Sequence, residues 1–282
     1  MFDAPKNGQF TQGTVFTCGY AENYPNQVVH GLVITARCDA AQRKVPIYSF
    51  IPVVSMCDWI FKDGADITLR RVIDDAENTL ENILEDSNLS LSLLRTTSTK
   101  EIVEKLLRPL AAKDRRIETK IKKFQAAQAI IDQAEAALED GRKESIRDVL
   151  KQAPKFLDRV VKDLSGNKIM GHYLLRGMPT LTDEECHHVA LLREVHHIPN
   201  STAQRIVGGI SKIEWPNELV GLACCPIFLT DDDYCMPVGK LRSPWIEHLM
   251  QNWSLLFARI GVDDIDATAV RRSLDGLGLE VV

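Results

Sequence analysis

The sequence feature that most strongly restricts the possible folds is a heptad-like apolar seam in the middle of the chain. Its members alternate in spacing between four and three positions: Ile117, Ile121, Phe124, Gln128, Ile131, Glu135 and Leu138. This spacing places them on one side of a helix that packs along another helix, with two polar interruptions. Asp140-Gly141 then signals the end of the helix. The sequence therefore predicts a long helix that an all-β fold could not contain.

A second run with the same spacing begins just beyond that stop, at Ile146, and continues to Leu164. Two such seams joined by a tight glycine turn predict an antiparallel helical hairpin. Pro154 interrupts the second run, so we expect that helix to kink or restart there. Residues 69–84 also follow helical spacing, and Thr99 can cap a short helix that ends before Pro109.

Segments rich in β-formers lie on both sides of the helical region. Strands are predicted at 14–18, 28–35, 46–54, 172–175 and 189–195, while 219–229 is ambiguous between a strand and a buried loop. Ser243 and Pro244 mark the start of a final helix, and Gly261 suits the position after its end. The chain is thus divided into a β part (1–65), a helical insertion (66–167) and a β part with terminal helices (168–282).

The predicted fold class is α+β. We expect one small barrel or sheet whose strands are interrupted by the helical hairpin, with the last helix packed on it. The alternative is two β-containing domains separated by a helical spacer.

Composition indicates a soluble cytoplasmic protein. The 282 residues carry a net charge of -5, and the seven cysteines show no compact disulfide spacing, which favours a reducing compartment. No apolar run approaches the roughly 20 residues that span a bilayer, and the first residues do not resemble a signal peptide. We expect no membrane association.

Cysteines and histidines are plentiful, but their spacing does not predict a metal site. They lie at Cys186-His187-His188, His196-His197, Cys224-Cys225 and Cys235. Adjacent residues on a strand point to opposite faces, so each doublet offers one ligand at most. No glycine-rich nucleotide motif occurs. The sequence therefore predicts no metal and no cofactor; a zinc-stabilised domain is the alternative, and it requires four of these ligands close together.

The pair Cys38-Asp39 directly follows the second predicted strand, where a loop can present side chains at a pocket. Arg37 or a histidine could lower the pKa of the Cys38 thiol, although Asp39 would oppose this. The alternative is a strand-end turn in which Asp39 bonds backbone amides.

Basic residues concentrate in one part of this acidic chain. Residues 100–123 hold nine Lys or Arg against four acids, a local excess of five positive charges. Such a patch can contact an acidic protein or a phosphate backbone, or it can be the solvated face of the hairpin. The candidate contact residues are Arg115, Arg116, Lys120 and Lys123. Trp245 and Trp253 belong to a wide apolar arc on the last helix, which predicts packing into a core or against a partner.

The runs QGTVF (12–16), HGLVIT (30–35) and YSFIPVVS (48–55) resemble the PemK/MazF-type SH3-like barrel. The resemblance implies a dimeric, sequence-specific endoribonuclease that a partner chain neutralises. Carried over by position, the family's Arg falls on His30, its Pro on Gly31 and its hydroxyl on Val54, with Ser55 next. It therefore implies a groove formed by His30, Arg37 and Ser55, with the basic hairpin guiding RNA.

The layout also resembles bacterial proteins encoded near mobile-element and phage-defence genes. The shared features are the QGTVF strand, the Cys38-Asp39 pair and the helix SPWIEHLMQ (243–251). Since the family's Arg is replaced, the leading expectation is a non-enzymatic interaction or regulatory module, accessory to a bacterial toxin or defence system. It would bind a protein partner, with a homodimer and RNA or DNA contact through 100–123 as further possibilities. The PemK-like endoribonuclease is the alternative.

Overall fold

A computed structural model describes residues 1–5, 8–37, 45–112, 114–180, 186–216 and 225–257. The strands in this part of the chain are β1 (Phe2–Asp3), β2 (Thr14–Phe16), β3 (Val29–Val33), β4 (Ile47–Ser55), β5 (His172–Met178), β6 (Cys186–Leu191), β7 (His196–Pro199), β8 (Ile210–Ser211), β9 (Tyr234–Cys235) and β10 (Pro237–Leu241).

Helices fill the middle and the end of the described chain. They are α1 (Met56–Ile60), α2 (Asp63–Glu85), α3 (Leu93–Thr96), α4 (Thr99–Glu101), a π-helix (Ile102–Leu107), α5 (Arg108–Ala111), α6 (Arg116–Asp140), α7 (Lys143–Gln152), α8 (Pro154–Ser165), α9 (Asn200–Gly208) and α10 (Trp245–Phe257). Within the described ranges, no helix is both long and apolar enough to cross a membrane.

One antiparallel sheet unites eight of the described strands from both sides of the helical insertion, while β8 and β9 pair separately with each other. Its order is β1-β10-β2-β3-β4-β6-β5, and β7 pairs with the first half of β4. The backbone N–H of Arg176 on β5 donates to the Met1 sulfur beside β1 at 3.3 Å, which brings the two ends of the sheet together. The sheet is therefore a nearly closed barrel, and the predicted mixture of α and β structure is confirmed. The alternative of two separate β domains does not fit this pairing.

The two faces of the sheet are buried under different helices. Leu32 and Ile51 share a cluster with Ile246 and Leu249 of α10, whereas Phe16 and the strand residues beside it pack against α9. Gly31 makes the second arrangement possible, because a Cβ there would lie 2.2 Å from the Phe16 ring. The packing of the C-terminal helix on the barrel was predicted correctly; Gly261, its predicted stop, lies outside the described residues.

The helical insertion forms an arm that leaves the barrel along α2 and returns along α6. Leu80 and Leu84 of α2 share a buried cluster with Ile121 and Phe124 of α6. Closer to the barrel, Ala134 of α6 packs with residues of both α2 and α7. We use "arm" for residues 63–165.

The predicted hairpin needs two corrections. The long partner of α6 is α2, not the 146–164 run, because Pro154 restarts that run and leaves α7 only 10 residues long against 25 for α6. The buried seam also shifts from the predicted Gln128 and Glu135 onto alanines, which allow closer approach of α2: Ala127, Ala134 and Ala137. The stop at Gly141 is confirmed, with a left-handed φ of 62°.

Candidate functional site

A cavity of about 380 Å³ opens at one end of the barrel. It lies where β2 and β4 end and where β3 and β6 begin, and the segment 227–234 closes one side. Antiparallel register sets Ser55 opposite His188 and His30 opposite Val53, so three polar side chains emerge beside one another. His30, His188 and Ser55 all line the cavity.

His30 is the most isolated polar group of the cavity. Its side chain is almost completely buried, and its Nδ1 atom has no hydrogen-bond partner among the described residues. Burial, with a smaller contribution from nearby His188, lowers the pKa of His30 to about 3. The imidazole is therefore uncharged at neutral pH, and it does not replace the permanent positive charge of an arginine.

His188 packs edge to face against His30, with ring centroids 5.3 Å apart and an interplanar angle of 87°. Its Nδ1 lies 3.2 Å from the carbonyl oxygen of Cys186. A carbonyl can only accept, so in the neutral ring Nδ1 carries the proton and Nε2 is an acceptor. Burial lowers the pKa of His188 as well, against the opposing effect of the Cys186 carbonyl. Both imidazoles are thus neutral near pH 7.

The Ser55 side chain is hydrogen-bonded to the first turn of α1. Its hydroxyl accepts from the Asp58 backbone N–H at 3.0 Å and donates to the Asp58 carboxylate at 2.7 Å. This is an ordinary helix N-cap, in which the hydroxyl proton is already shared with a carboxylate. Asp58 is in turn 3.3 Å from the Lys143 ammonium. The arrangement makes Ser55 a structural residue of the cavity wall.

The described residues that line the cavity include aspartates but no Lys or Arg. Asp232 and Asp233 stand at its rim, while Val29, Ile227 and Leu229 form apolar wall. The Asp233 carboxylate accepts from the Thr230 backbone N–H at 2.9 Å and from the Thr230 hydroxyl at 2.8 Å. The local charge is therefore unfavourable for a phosphate group.

The structure brings together only part of the predicted catalytic set. Arg37 does not line the cavity; its guanidinium lies 3.2 Å from the Glu247 carboxylate on α10. Cys38 and Asp39, the predicted pocket pair, lie outside the described residues. His188, which no sequence motif singles out, also lines the cavity, whereas the neighbouring His187 is exposed.

Several cysteine thiols lie beside the cavity, but they form no metal centre within the described ranges. The Cys225 thiol lies 3.2 Å from the Cys18 carbonyl oxygen, and the Cys235 thiol donates to the Thr17 carbonyl at 3.1 Å. Burial raises the pKa of the Cys235 thiol, which keeps it protonated. No group of three or more His, Cys, Asp or Glu among the described residues is placed to hold a metal ion.

The basic region occupies the end of the arm farthest from the barrel, and only part of it is neutralised. Lys105, Arg108 and Lys120 form ion pairs with Glu101, Glu104 and Asp86, respectively. Five cations of this region are exposed and form no ion pair within the described residues: Lys100, Arg115, Arg116, Lys122 and Lys123. We call the four that lie at the start of α6 the arm tip: Arg115, Arg116, Lys122 and Lys123.

The tryptophans of the C-terminal helix α10 pack mainly against the barrel. Trp245 and Trp253 are half-buried and pack onto the same cluster as Ile246 and Leu249. Arg176 also stacks over the Trp245 ring at 5.6 Å. The large apolar side chains that this helix leaves exposed are Leu255 and Phe257.

Comparison of the chain with protein-family models, curated proteins and solved structures found no match. The nearly closed antiparallel barrel with added helices defines the architecture. The PemK/MazF-type resemblance stays a prediction that depends on the three short runs quoted above.

Proposed function

We propose that this chain is a non-enzymatic interaction or regulatory module that binds an acidic protein partner through the arm tip. The supporting observation is the group of four exposed cations without internal ion pairs in the described chain, whose sequence has a net charge of -5. Complementary charge steers such encounters and selects among partners. An accessory role in a bacterial toxin or phage-defence system is the context that the motif resemblance adds to this proposal.

The position of two of these cations supports a role outside folding. Arg115 is the N-cap of α6 and Arg116 is its first residue. The N-terminus of a helix carries partial positive charge, so a cation there opposes the helix dipole by about 0.3–1 kcal/mol. Two acidic side chains favour this end: Asp114 accepts from the Arg116 backbone N–H at 2.9 Å, and Glu118 lies in the first turn of the helix. A negatively charged partner would turn this local disadvantage into attraction.

Two observations favour a protein over a nucleic acid as the partner. Phe124 is the one aromatic residue between positions 100 and 130, and it is fully buried, so no ring is available to stack on a base. Glu118 also stands among the arm-tip cations, which breaks the basic surface that a phosphate backbone would follow.

We expect the double substitution R116E/K123E to weaken binding of a fluorescent 20-residue polyglutamate peptide about 5- to 30-fold. Each reversed charge replaces an exposed attraction of up to about 1 kcal/mol by repulsion. Fluorescence anisotropy at 50 and 200 mM salt measures the loss and its salt dependence. Thermal unfolding should show that the variant is no less stable, because a glutamate in place of Arg116 suits a helix N-terminus.

The matched control is K151E/R159E, which changes the net charge equally on exposed positions of α7 and α8. We expect this control to bind the peptide within twofold of the wild type. Equal weakening by both variants would assign the effect to net charge alone. Tighter binding to a 20-nucleotide RNA than to the peptide would replace the proposed acidic protein with a nucleic acid.

The endoribonuclease alternative has one supporting observation, namely that His30 and Ser55 line the same cavity. Against it, His30 is uncharged, Ser55 caps a helix and Arg37 pairs with Glu247. We therefore expect purified chain to leave structured and unstructured RNA intact over hours, as resolved on denaturing gels. Cleavage by the wild type that disappears in both His30→Ala and Arg37→Ala would establish the alternative; equal cleavage by all three proteins would remove these site assignments.

A further inference from the structure

We propose that the cavity at the barrel end is a binding site for a small organic ligand. The ligand has a largely apolar body, an N–H or O–H group and no negative charge. This proposal is independent of the arm tip, which lies at the far end of the arm from the barrel.

The size of the cavity suits such a ligand. Its volume of about 380 Å³ is near the lower end of the range for small-molecule sites. The wall contains apolar side chains from two distant parts of the chain, including Val29 on β3 and Ile227 and Leu229 ahead of β9. A ligand body there would remove apolar surface from water on most of its sides.

The polar end of the cavity supplies the chemical preference. His30 and His188 are almost fully buried, and the protein gives the Nδ1 atom of His30 no hydrogen bond within the described residues. A buried imidazole without a partner is costly to the fold, and an apolar side chain would fill this strand position without that cost. A ligand N–H or O–H that donates to His188 would give this imidazole pair a hydrogen bond inside the cavity. Because Nε2 of neutral His188 is an acceptor, an N–H or O–H group is the matching partner.

The charge of the side chains around the cavity determines which of these ligands can bind. Asp232 and Asp233 are at the rim of the cavity. The described lining contains no Lys or Arg to balance them. A carboxylate or phosphate would meet this acidic field in a partly desolvated site, whereas a neutral or cationic group would not.

A set of four ligands of nearly equal size tests the assignment: benzamide, benzamidine, benzoate and N,N-dimethylbenzamide. Binding to the full chain is measured by saturation-transfer NMR titration. We expect benzamide and benzamidine to bind with dissociation constants in the millimolar range, as is usual for such small molecules. Benzoate, which adds negative charge, and N,N-dimethylbenzamide, which lacks the N–H donor, should bind at least tenfold more weakly.

Two variants locate the binding. Val28→Trp fills the mouth of the cavity from a residue that is 62% exposed, and it should abolish binding of benzamide. Ile47→Trp is the matched control, since Ile47 is also exposed but begins β4 at the end opposite Ser55. His188→Leu should remove the preference for benzamide over N,N-dimethylbenzamide, because it removes the Nε2 acceptor while leaving the cavity open.

If His188→Leu does not fold, the Val28→Trp and Ile47→Trp pair still tests the location of binding, and the four ligands test its chemistry. Equal binding of benzoate and benzamide would overturn the charge assignment. Benzamide binding that survives Val28→Trp, or the absence of saturable binding by benzamide and benzamidine up to about 10 mM, would overturn the site. None of these outcomes bears on the polyglutamate experiment.

Discussion

Replacing Phe124 by alanine should lower the free energy of unfolding by about 3–5 kcal/mol. The ring is fully buried on α6, in the same cluster as Leu80, Leu84 and Ile121. Its removal would leave a cavity between two long helices whose backbones are held by their own hydrogen bonds and cannot collapse freely. The arm should therefore lose most of its stability from this single change.

Urea denaturation followed by circular dichroism measures the loss for the whole chain, and hydrogen exchange locates it. We expect amides of α2 and α6 far from the barrel to lose protection first, while β3 and β4 keep theirs. Gln125→Ala is the control, because the adjacent side chain is exposed and such changes usually stay within about 0.5 kcal/mol. A loss below about 1 kcal/mol for Phe124→Ala would show that the two helices are not packed as described.

Acidification from pH 6.5 to 5 should destabilise the fold by up to about 2 kcal/mol through His30. The pKa of this side chain is near 6.5 when it is exposed in the unfolded chain and about 3 in the fold. Between these values the unfolded chain binds a proton that the folded chain excludes, so stability falls as the pH falls. Above about pH 7.5 the imidazole is neutral in both states, and stability there no longer depends on it.

Urea denaturation at pH 7.5, 6.5, 5.5 and 5.0 measures how the free energy of unfolding changes with pH. The variant His30→Leu removes the part of this pH dependence that comes from His30. His188 titrates in the same direction, because burial also lowers its pKa, so the variant should retain part of the slope. Coincident slopes in the wild type and in His30→Leu would show that His30 is protonated in the fold and that the cavity is more open to water. The comparison stays above pH 5 because ordinary carboxylates begin to titrate below it.

The seam that begins at Ile117 predicts α6 closely, since its bounds of Arg116–Asp140 follow directly from the spacing and from Gly141. The partner of this helix could not be predicted in the same way. Periodicity shows which face of a helix is apolar, but both α2 and the 146–164 run offered an apolar face. The distance over which each remains helical decides between them, and Pro154 limits the second run.

The candidate site was even harder to predict from the sequence than the partner of α6. The strands that carry or adjoin His30, Ser55 and His188 are recognised from their β-branched and apolar residues, at 28–35, 46–54 and 189–195. Alternation indicates that His187 and His188 point to opposite faces, but it does not indicate which of them points inward. That His188 lies against His30 depends on β4 pairing with β3 on one side and with β6 on the other. Such pairing between distant segments leaves no local signal in the residues themselves.

The sequence by itself determined the helical insertion, the strand segments and the excess of positive charge at residues 100–123. These properties depend on residue spacing and on neighbours a few positions apart. Only the tertiary structure decided that the strands close into one nearly complete barrel, that four cations of the arm tip stay unpaired within the described chain and that two neutral imidazoles meet in a cavity. The physical reason is that burial, ion pairing and pKa depend on what surrounds a side chain in space, and here those surroundings come from strands and helices far apart along the chain.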